Sequence, residues 1–567
     1  MDTLISRRQL IGGMAGTAAL AASAADSLGG LQGNNVNKAP FDISALPLLD
    51  QKQAGHLRHL RNISDQPSGI WDHMRGPFDH MGGGIGPALY KVVPHSYFAM
   101  ALAYFNRLPA APGVFRPLSD RLIAQMLDKE VWGYWRLMST SSKEYDPDLK
   151  EDRQAWSDPV VKENIMYSGR LAVMLGLHSV LFNDDKFEKP DSVVLDWDVP
   201  FSGGPTQFKY SLDSLNDRIY WQLVESGYLG VACEPNCVFV VCNQYGLIGL
   251  RLRDIRRGTK VADESTASFK EAWERKGWVD ANGHLVALYQ PNQDFIVPLK
   301  SPLWDFYAGT YMSAWMPEFV RAHYPTWSKY AYRSGPNGTL SPWPAKLIPV
   351  VKAAVDNGTP LRSIEVRQVK LGDIADIGQM LAFVAEIGDT KARDGMLAHL
   401  DEFCNPTWEK GGLFYPRNDQ DWDADGNMVR MDPWTGTASV AHARLTTENG
   451  LWNIYNKPWG ALHFAQPALA EVDEEVDVLR AIFVPSKHAL VLTMRTWHGN
   501  SMTAKMVISN AHQPGKRWKL YRDGDVVASG NDSAVLATSL PKAQWDAGRL
   551  VFMAPVQSAS TFVMQWA

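Results

Sequence analysis

The chain changes character once, and that change limits its folds more than any other feature. From about residue 50 to residue 470 the apolar positions recur at helical spacing. From about 478 they fall into short runs rich in β-branched and aromatic residues: Leu479–Val484, Ala489–Arg495, Met502–Ser509, Arg517–Tyr521, Ala534–Thr538, Leu550–Ala554 and Thr561–Trp566. Turns such as Asp523-Gly524-Asp525 and Gly530-Asn531-Asp532 separate them. A large all-helical toroid or bundle followed by a small antiparallel sandwich satisfies both halves. At 567 residues the length suggests three or four domains at ~150 residues each, but one helical barrel absorbs most of it.

Within the helical part, a helix is expected after Ser157-Asp158-Pro159, with Asp158 as cap and Pro159 in the first turn. Met166, Arg170, Val173, Leu177 and Val180 then share one stripe. Further helices are expected at 94–107, 212–226, 238–254, 265–276, 303–322, 345–357, 374–387 and 448–465. Gly227, Gly277 and Pro325 mark expected stops. A long hairpin is expected over 412–432, turning at Asp425-Gly426. The acidic segment Glu471–Asp477 marks the expected boundary, giving a helical domain at 45–470 and a β domain at 471–567.

Residues 1–24 read as an export signal. Arg7-Arg8 precedes a small-residue apolar run, and Ala22-Ser23-Ala24 supplies a cleavage signature. This twin-arginine pattern implies a periplasmic or secreted protein, with residues 25–44 as a linker. The apolar run is shorter than the ~20 residues a membrane span needs, and no other stretch reads as a span. A net charge of -5 without a basic stripe argues against a nucleic-acid partner.

Only 4 cysteines occur, too few for a disulfide framework. Three of them, Cys233, Cys237 and Cys242, fall within ten residues. Asn236 is a fair helix cap, which places Cys233 in the loop leading in and Cys242 inside the helix. A thiol near a helix start feels the positive end of the macrodipole and becomes a usable acid or nucleophile. Packing, a disulfide and a partial metal site are the other readings of such a cluster.

The run Lys162-Glu163-Asn164-Ile165-Met166-Tyr167 resembles the linalool dehydratase/isomerase family. So do Cys233-Glu234-Pro235-Asn236 with Phe239 and Cys242-Asn243, and Val131-Trp132-Gly133 before Trp135. The resemblance covers about residues 45–465. It implies an (α/α)6 barrel, a homo-oligomer with active sites near subunit interfaces, and cofactor-free dehydration and isomerisation of a tertiary allylic terpene alcohol. Carried over by position, it implies catalytic roles for Cys233, Cys242 and Asp65, with Met166 and Tyr307 in the pocket. Two positions depart from the family pattern. Its histidine is Arg170 here, and a tyrosine falls on Trp71, which keeps an aromatic wall but loses the hydroxyl. Arginine cannot exchange a proton near neutral pH. Arg170 therefore has three readings: an ion pair with Asp65, recognition of an anionic substrate group, or a side chain directed away from the pocket.

Other signals compete. Asp72-His73-Met74 and Asp79-His80-Met81 repeat a triplet before Gly82-Gly83-Gly84, as a pocket rim or a polar loop. Asp421, Asp423, Asp425, Gly426 and Asp432 match EF-hand spacing with Asp in the last position, or a hairpin turn. No nucleotide-binding or metalloprotease motif is present, so no cofactor or metal is expected. An exported carbohydrate-active enzyme, with Asp421 and Asp423 as its carboxylates and some of the 21 tryptophans stacking on sugars, is the first alternative. A non-catalytic small-molecule binder is the second.

Overall fold

A computed structural model describes residues 36–76, 89–200, 204–297, 301–371, 375–532 and 534–567. The export-signal reading and the triplet Asp79-His80-Met81 lie outside them. The described chain is mainly helical up to Phe464 and β-rich from Ala468 onward.

The helices begin and end for local reasons. Gln51–Ser64 opens on a capping box in which Asp50 and Gln53 satisfy each other's backbone N–H groups, and Leu212–Glu225 does the same through Ser211 and Ser214. Val240–Arg257 and Val261–Lys276 end on the left-handed glycines Gly258 and Gly277. Leu89–Asn106 and Ile165–Phe182 are apolar on nearly every face and nearly wholly buried. Ile165–Phe182 is long and apolar enough to cross a membrane, but it forms part of the interior of this molecule.

Several expected boundaries move. Asp158 does not cap a helix; its carboxylate accepts from the Val160 and Val161 N–H groups in a turn, and the helix starts at Ile165 after left-handed Asn164. The expected 303–322 helix is two helices, Leu303–Met312 and Pro317–Ser328, because Pro317 fits a new first turn. Pro325 lies inside the second instead of ending it. The 448–465 segment likewise splits into Gly450–Asn456 and Ala461–Phe464.

Ile165–Phe182 and Val240–Arg257 lie against each other at small residues. A Cβ on Gly249 would sit 2.8 Å from Ala172 Cβ, and one on Gly176 2.6 Å from Leu252 Cβ. Only glycine permits this approach, and it brings Arg170 of one helix beside Tyr245 of the other.

The β-rich part holds two antiparallel sheets. In the six-stranded sheet the spatial order is Val476–Val484, Ala489–Thr496, Ser560–Trp566, Trp518–Arg522, Asp525–Gly530, Val535–Thr538. In the four-stranded sheet it is Ala468–Val472, Met502–Ser509, Arg549–Val556, Lys542–Asp546. Trp518 of the first meets Phe552 of the second edge to face, with ring centroids 6.0 Å apart. The acidic segment is not a plain spacer: Glu471 and Asp477 both lie in strands. Asp477 holds Arg58 of the Gln51–Ser64 helix in a buried ion pair, Nη2 to Oδ1 2.5 Å.

Candidate active site

Cys233 and Cys242 meet. Their sulfurs lie 3.3 Å apart, both thiols are free and both side chains are buried. The backbone between them explains the proximity. The Cys233 N–H donates to the Cys237 carbonyl and the Cys237 N–H to the Glu234 carbonyl, which turns the chain tightly through left-handed Asn236. Asn236 thus shapes the loop; the helix starts later, at Val240, with Cys242 in its first turn. Asn243 clamps the loop to the helix. Its Oδ1 accepts from the Val231 N–H at 2.7 Å, and its Nδ2 donates to the Val231 and Phe239 carbonyls. The helix carrying Met166 and Arg170 is tied to the same loop by the Ile165 N–H donating to the Ala232 carbonyl.

The expected lowering of the loop thiol is reversed at Cys233. Burial pushes it well above the usual thiol range, and neighbouring Cys242 and Glu234 push the same way. Cys233 is therefore a protonated thiol at neutral pH. Cys237 is also raised by burial and packs, as its position suggests. Glu234 sits within this centre, and burial raises its carboxyl against the pull of Cys233 and Lys91.

Arg170 is fully buried. Its Nη2 donates to Tyr307 Oη at 2.5 Å and its Nη1 to the Tyr90 carbonyl at 3.3 Å, while its guanidinium stands 4.7 Å from the Tyr245 ring centroid. The ion pair with Asp65 does not form. Asp65 caps the end of Gln51–Ser64, and its half-exposed carboxylate pairs with Arg121 at 2.7 Å. Tyr307 Oη also receives the Tyr245 hydroxyl at 2.8 Å. The two lone pairs of Tyr307 are then taken by Arg170 and Tyr245, so its own O–H is the one left to donate. Met166 is buried one turn before Arg170. Trp71 is buried too: its Nε1 donates to Glu130, and it lines a cavity of about 240 Å³ with His73, Arg75, Phe414, Tyr415 and Pro433.

Three residues of this centre, Lys91, His95 and Trp434, were not singled out from sequence. Lys91 and His95 lie a turn apart in the apolar Leu89–Asn106 helix, where a cation and an imidazole are anomalous. The ammonium of Lys91 sits over the Tyr90 and Trp434 rings, and burial lowers it from the usual lysine range, with Arg170 acting the same way. His95 Nδ1 donates to the Lys91 carbonyl at 2.7 Å, leaving Nε2 toward Tyr245. Trp434 opens a π-helical turn, Trp434–Ser439, that sets its ring beside His95 and Tyr307.

The acidic motif at 421–432 forms the turn of a hairpin shorter than the expected 412–432, and not an EF-hand: Asn418 bridges to Met431, while Gly412–Phe414 pairs back with Thr407–Glu409. Asp423 Oδ1 accepts from the Asp425 and Asn427 N–H groups around left-handed Gly426. Asp421 pairs with Arg430, and Asp432 is buried, accepting from the Ala375 and Thr435 N–H groups. Asp421 and Asp423 are thus consumed by the hairpin, not paired across a sugar site. Among the described residues no cluster of three His, Cys, Asp or Glu side chains suits a metal ion.

The family model for linalool dehydratase/isomerase matches residues 90–421. Among solved structures, an unsaturated glucuronyl hydrolase specific for heparin is 8% identical, with 72% of this chain and 97% of that one covered at a TM-score of 0.38. A GH76 α-mannanase of Bacteroides thetaiotaomicron is 10% identical over 71% and 97% at 0.35. An α-amylase of Clostridium perfringens is 11% identical over 69% and 98% at 0.34.

Proposed function

Taking as premise that this chain belongs to the linalool dehydratase/isomerase family, we propose that it is a cofactor-free carbon–oxygen lyase acting on a tertiary allylic or terpenoid-type alcohol. The observation that carries this reading is the buried pair of free thiols, 3.3 Å apart, beside the Arg170–Tyr307–Tyr245 network.

Dehydration needs a proton for the leaving hydroxyl, a base for a neighbouring C–H, and a dry pocket around a cation-like transition state. We assign the acid role to Cys233, which holds its proton in the resting centre; the Tyr307 O–H, held by Arg170 and Tyr245, orients the hydroxyl. As the C–O bond breaks, its electron pair leaves with the protonated oxygen as water. A base removes the adjacent proton, and that C–H pair becomes the new double bond. We assign the base to the Cys242–Cys233–Glu234 group, in which Cys233 contacts both others. Each positioned proton-transfer group contributes typically 10²–10⁴-fold. The faces of Tyr90, Tyr134 and Trp434 add ~0.5–2 kcal/mol per ring to a nearby cation. Water returning to the other allylic terminus gives isomerisation.

In this reading the helical part is an (α/α)6 barrel, residues 471–567 are a separate β domain, and export follows the twin-arginine route. Within one chain Asp65 pairs with Arg121 and Trp71 bonds Glu130, and neither side chain is seen bonded to the thiols, so we assign their expected roles to a neighbouring centre in a homo-oligomer. The test is a product screen of purified protein with tertiary allylic alcohols, with and without a thiol reductant. Diene formed only with free thiols supports the assignment. No product from any alcohol, with Cys233 and Cys242 shown to be reduced, overturns it.

A further inference from the structure

The centre buries two cations, Arg170 and Lys91, and two carboxyls, Glu234 and Asp432, act on Lys91. Arg170 is 0% exposed and Lys91 9%. Among the described residues no carboxylate lies within ion-pair distance of either, since the ion pairs of the structure involve neither side chain. Arg170 Nε is buried without a hydrogen-bond partner. Glu234, the acidic group nearest in effect to both, has Oε2 buried and unpartnered as well. The two cations converge: the Tyr90 carbonyl that accepts from Arg170 immediately precedes Lys91.

A lone buried charge costs several kcal/mol unless a partner offsets it. The protein supplies aromatic faces instead: Tyr90 at 5.8 Å and Trp434 at 5.3 Å for Lys91, and Tyr245 at 4.7 Å for Arg170. Faces weaken the penalty without neutralising the charge. A guanidinium with a free Nε–H beside an ammonium matches a carboxylate in both charge and geometry. The Tyr90 ring that Lys91 stands over is itself stacked on Tyr134, with centroids 4.3 Å apart.

We propose that this centre binds a carboxylate-bearing substrate, an unsaturated aliphatic hydroxy acid, with Arg170 and Lys91 holding the carboxylate. The proposal rests on the reading of the centre as the substrate site and narrows its substrate class.

Calorimetric titration of the full protein with geranate, geraniol and acetate tests it. Geranate and geraniol share a carbon skeleton and differ in charge. The expected result is that geranate binds at least about tenfold more tightly than geraniol, or about 1.4 kcal/mol. In Arg170→Gln and Lys91→Met the ratio of the two affinities, read within each variant, falls below about threefold. Equal binding of geranate and geraniol to the unaltered protein overturns the proposal, and needs no variant to fold. A preference that survives in both variants, each verified by circular dichroism, also overturns it. Acetate binding as tightly as geranate reduces the site to one for bare anions and overturns the substrate class. A geranate preference without diene from any alcohol keeps the carboxylate site and removes the lyase reading; diene from uncharged alcohols without that preference does the reverse.

Discussion

Arg170 donates to Tyr307 across 2.5 Å, joining two helices whose contacting residues are 137 positions apart in the chain. The contact fixes the phenol oxygen as an acceptor, and with Tyr245 as second donor it leaves the Tyr307 proton for a third party. Tyr307→Phe removes the donor and orphans one guanidinium N–H, which costs about 1–3 kcal/mol in a buried setting. The expected outcome is a fall of about 10²-fold or more in kcat/KM for diene formation, with the helical circular dichroism retained. Unchanged turnover removes Tyr307 from the reaction.

The thiol pair makes a second prediction. Cys233→Ala and Cys242→Ala each remove one half of a buried contact of 3.3 Å and leave the turn through Asn236 intact, since backbone hydrogen bonds hold it. Both variants are expected to fold and to lose at least about 10²-fold in turnover. Cys237→Ala, in the same loop, is expected to keep activity. Diamide treatment should abolish the activity of the unaltered protein, and reductant should restore it together with the titratable thiol count. Equal activity of all three alanine variants excludes the thiols from catalysis.

The sequence made some of this legible and hid the rest for physical reasons. Strands such as Ala489–Thr496 and Met502–Ser509 announce themselves by β-branched runs, whereas Lys542–Asp546 alternates exposed polar residues at a sheet edge and carries no such signal. The Pro112–Met126 helix is masked by prolines at its start and interior. The cysteine cluster is local, so its spacing could be read directly. The partners of Arg170 come from the Leu89–Asn106, Val240–Arg257 and Leu303–Met312 helices, far apart in sequence, and of these the glycine-mediated approach accounts for Tyr245 of Val240–Arg257. An ion pair between Arg170 and Asp65 suits their types, but the cap position of Asp65 commits it to Arg121.

The junction between the helical and β-rich parts depends on Asp477. Its Oδ1 accepts from Arg58 Nε and Nη2 at 2.8 and 2.5 Å, Arg495 lies 3.7 Å from its Oδ2, and all three side chains are nearly buried. Asp477→Ala strands two guanidinium groups in a poorly hydrated setting. The expected loss of stability is about 3–5 kcal/mol, the usual result of breaking a buried pair from one side, read as a lower urea midpoint. Since the residue lies far in sequence from the thiols, turnover per folded molecule should persist. A loss under about 1 kcal/mol, the range of surface pairs, shows the junction to be hydrated and weak.

His442 gives a pH dependence whose sign follows from burial alone. The imidazole is buried, its Nε2 has no partner, and burial pushes it down to about 4. An unfolded-chain histidine titrates near 6.5. Between these two values the unfolded chain binds a proton that the folded chain refuses, so folding stability falls as pH falls, by about 1.4 kcal/mol per unit for this one group. Above pH 6.5 the penalty is absent, and below about 4 it is complete. Other buried histidines act in the same direction and buried carboxyls such as Glu386 in the opposite one, so the total curve is a poor measure. The difference between the unaltered protein and His442→Phe cancels them. Moving from pH 7.5 to pH 5.0, the variant should gain about 2 kcal/mol relative to the unaltered protein in urea unfolding, the product of that slope and the interval from 6.5 to 5.0. A difference that stays constant across this range means that His442 is protonated as readily in the folded protein as in the unfolded chain.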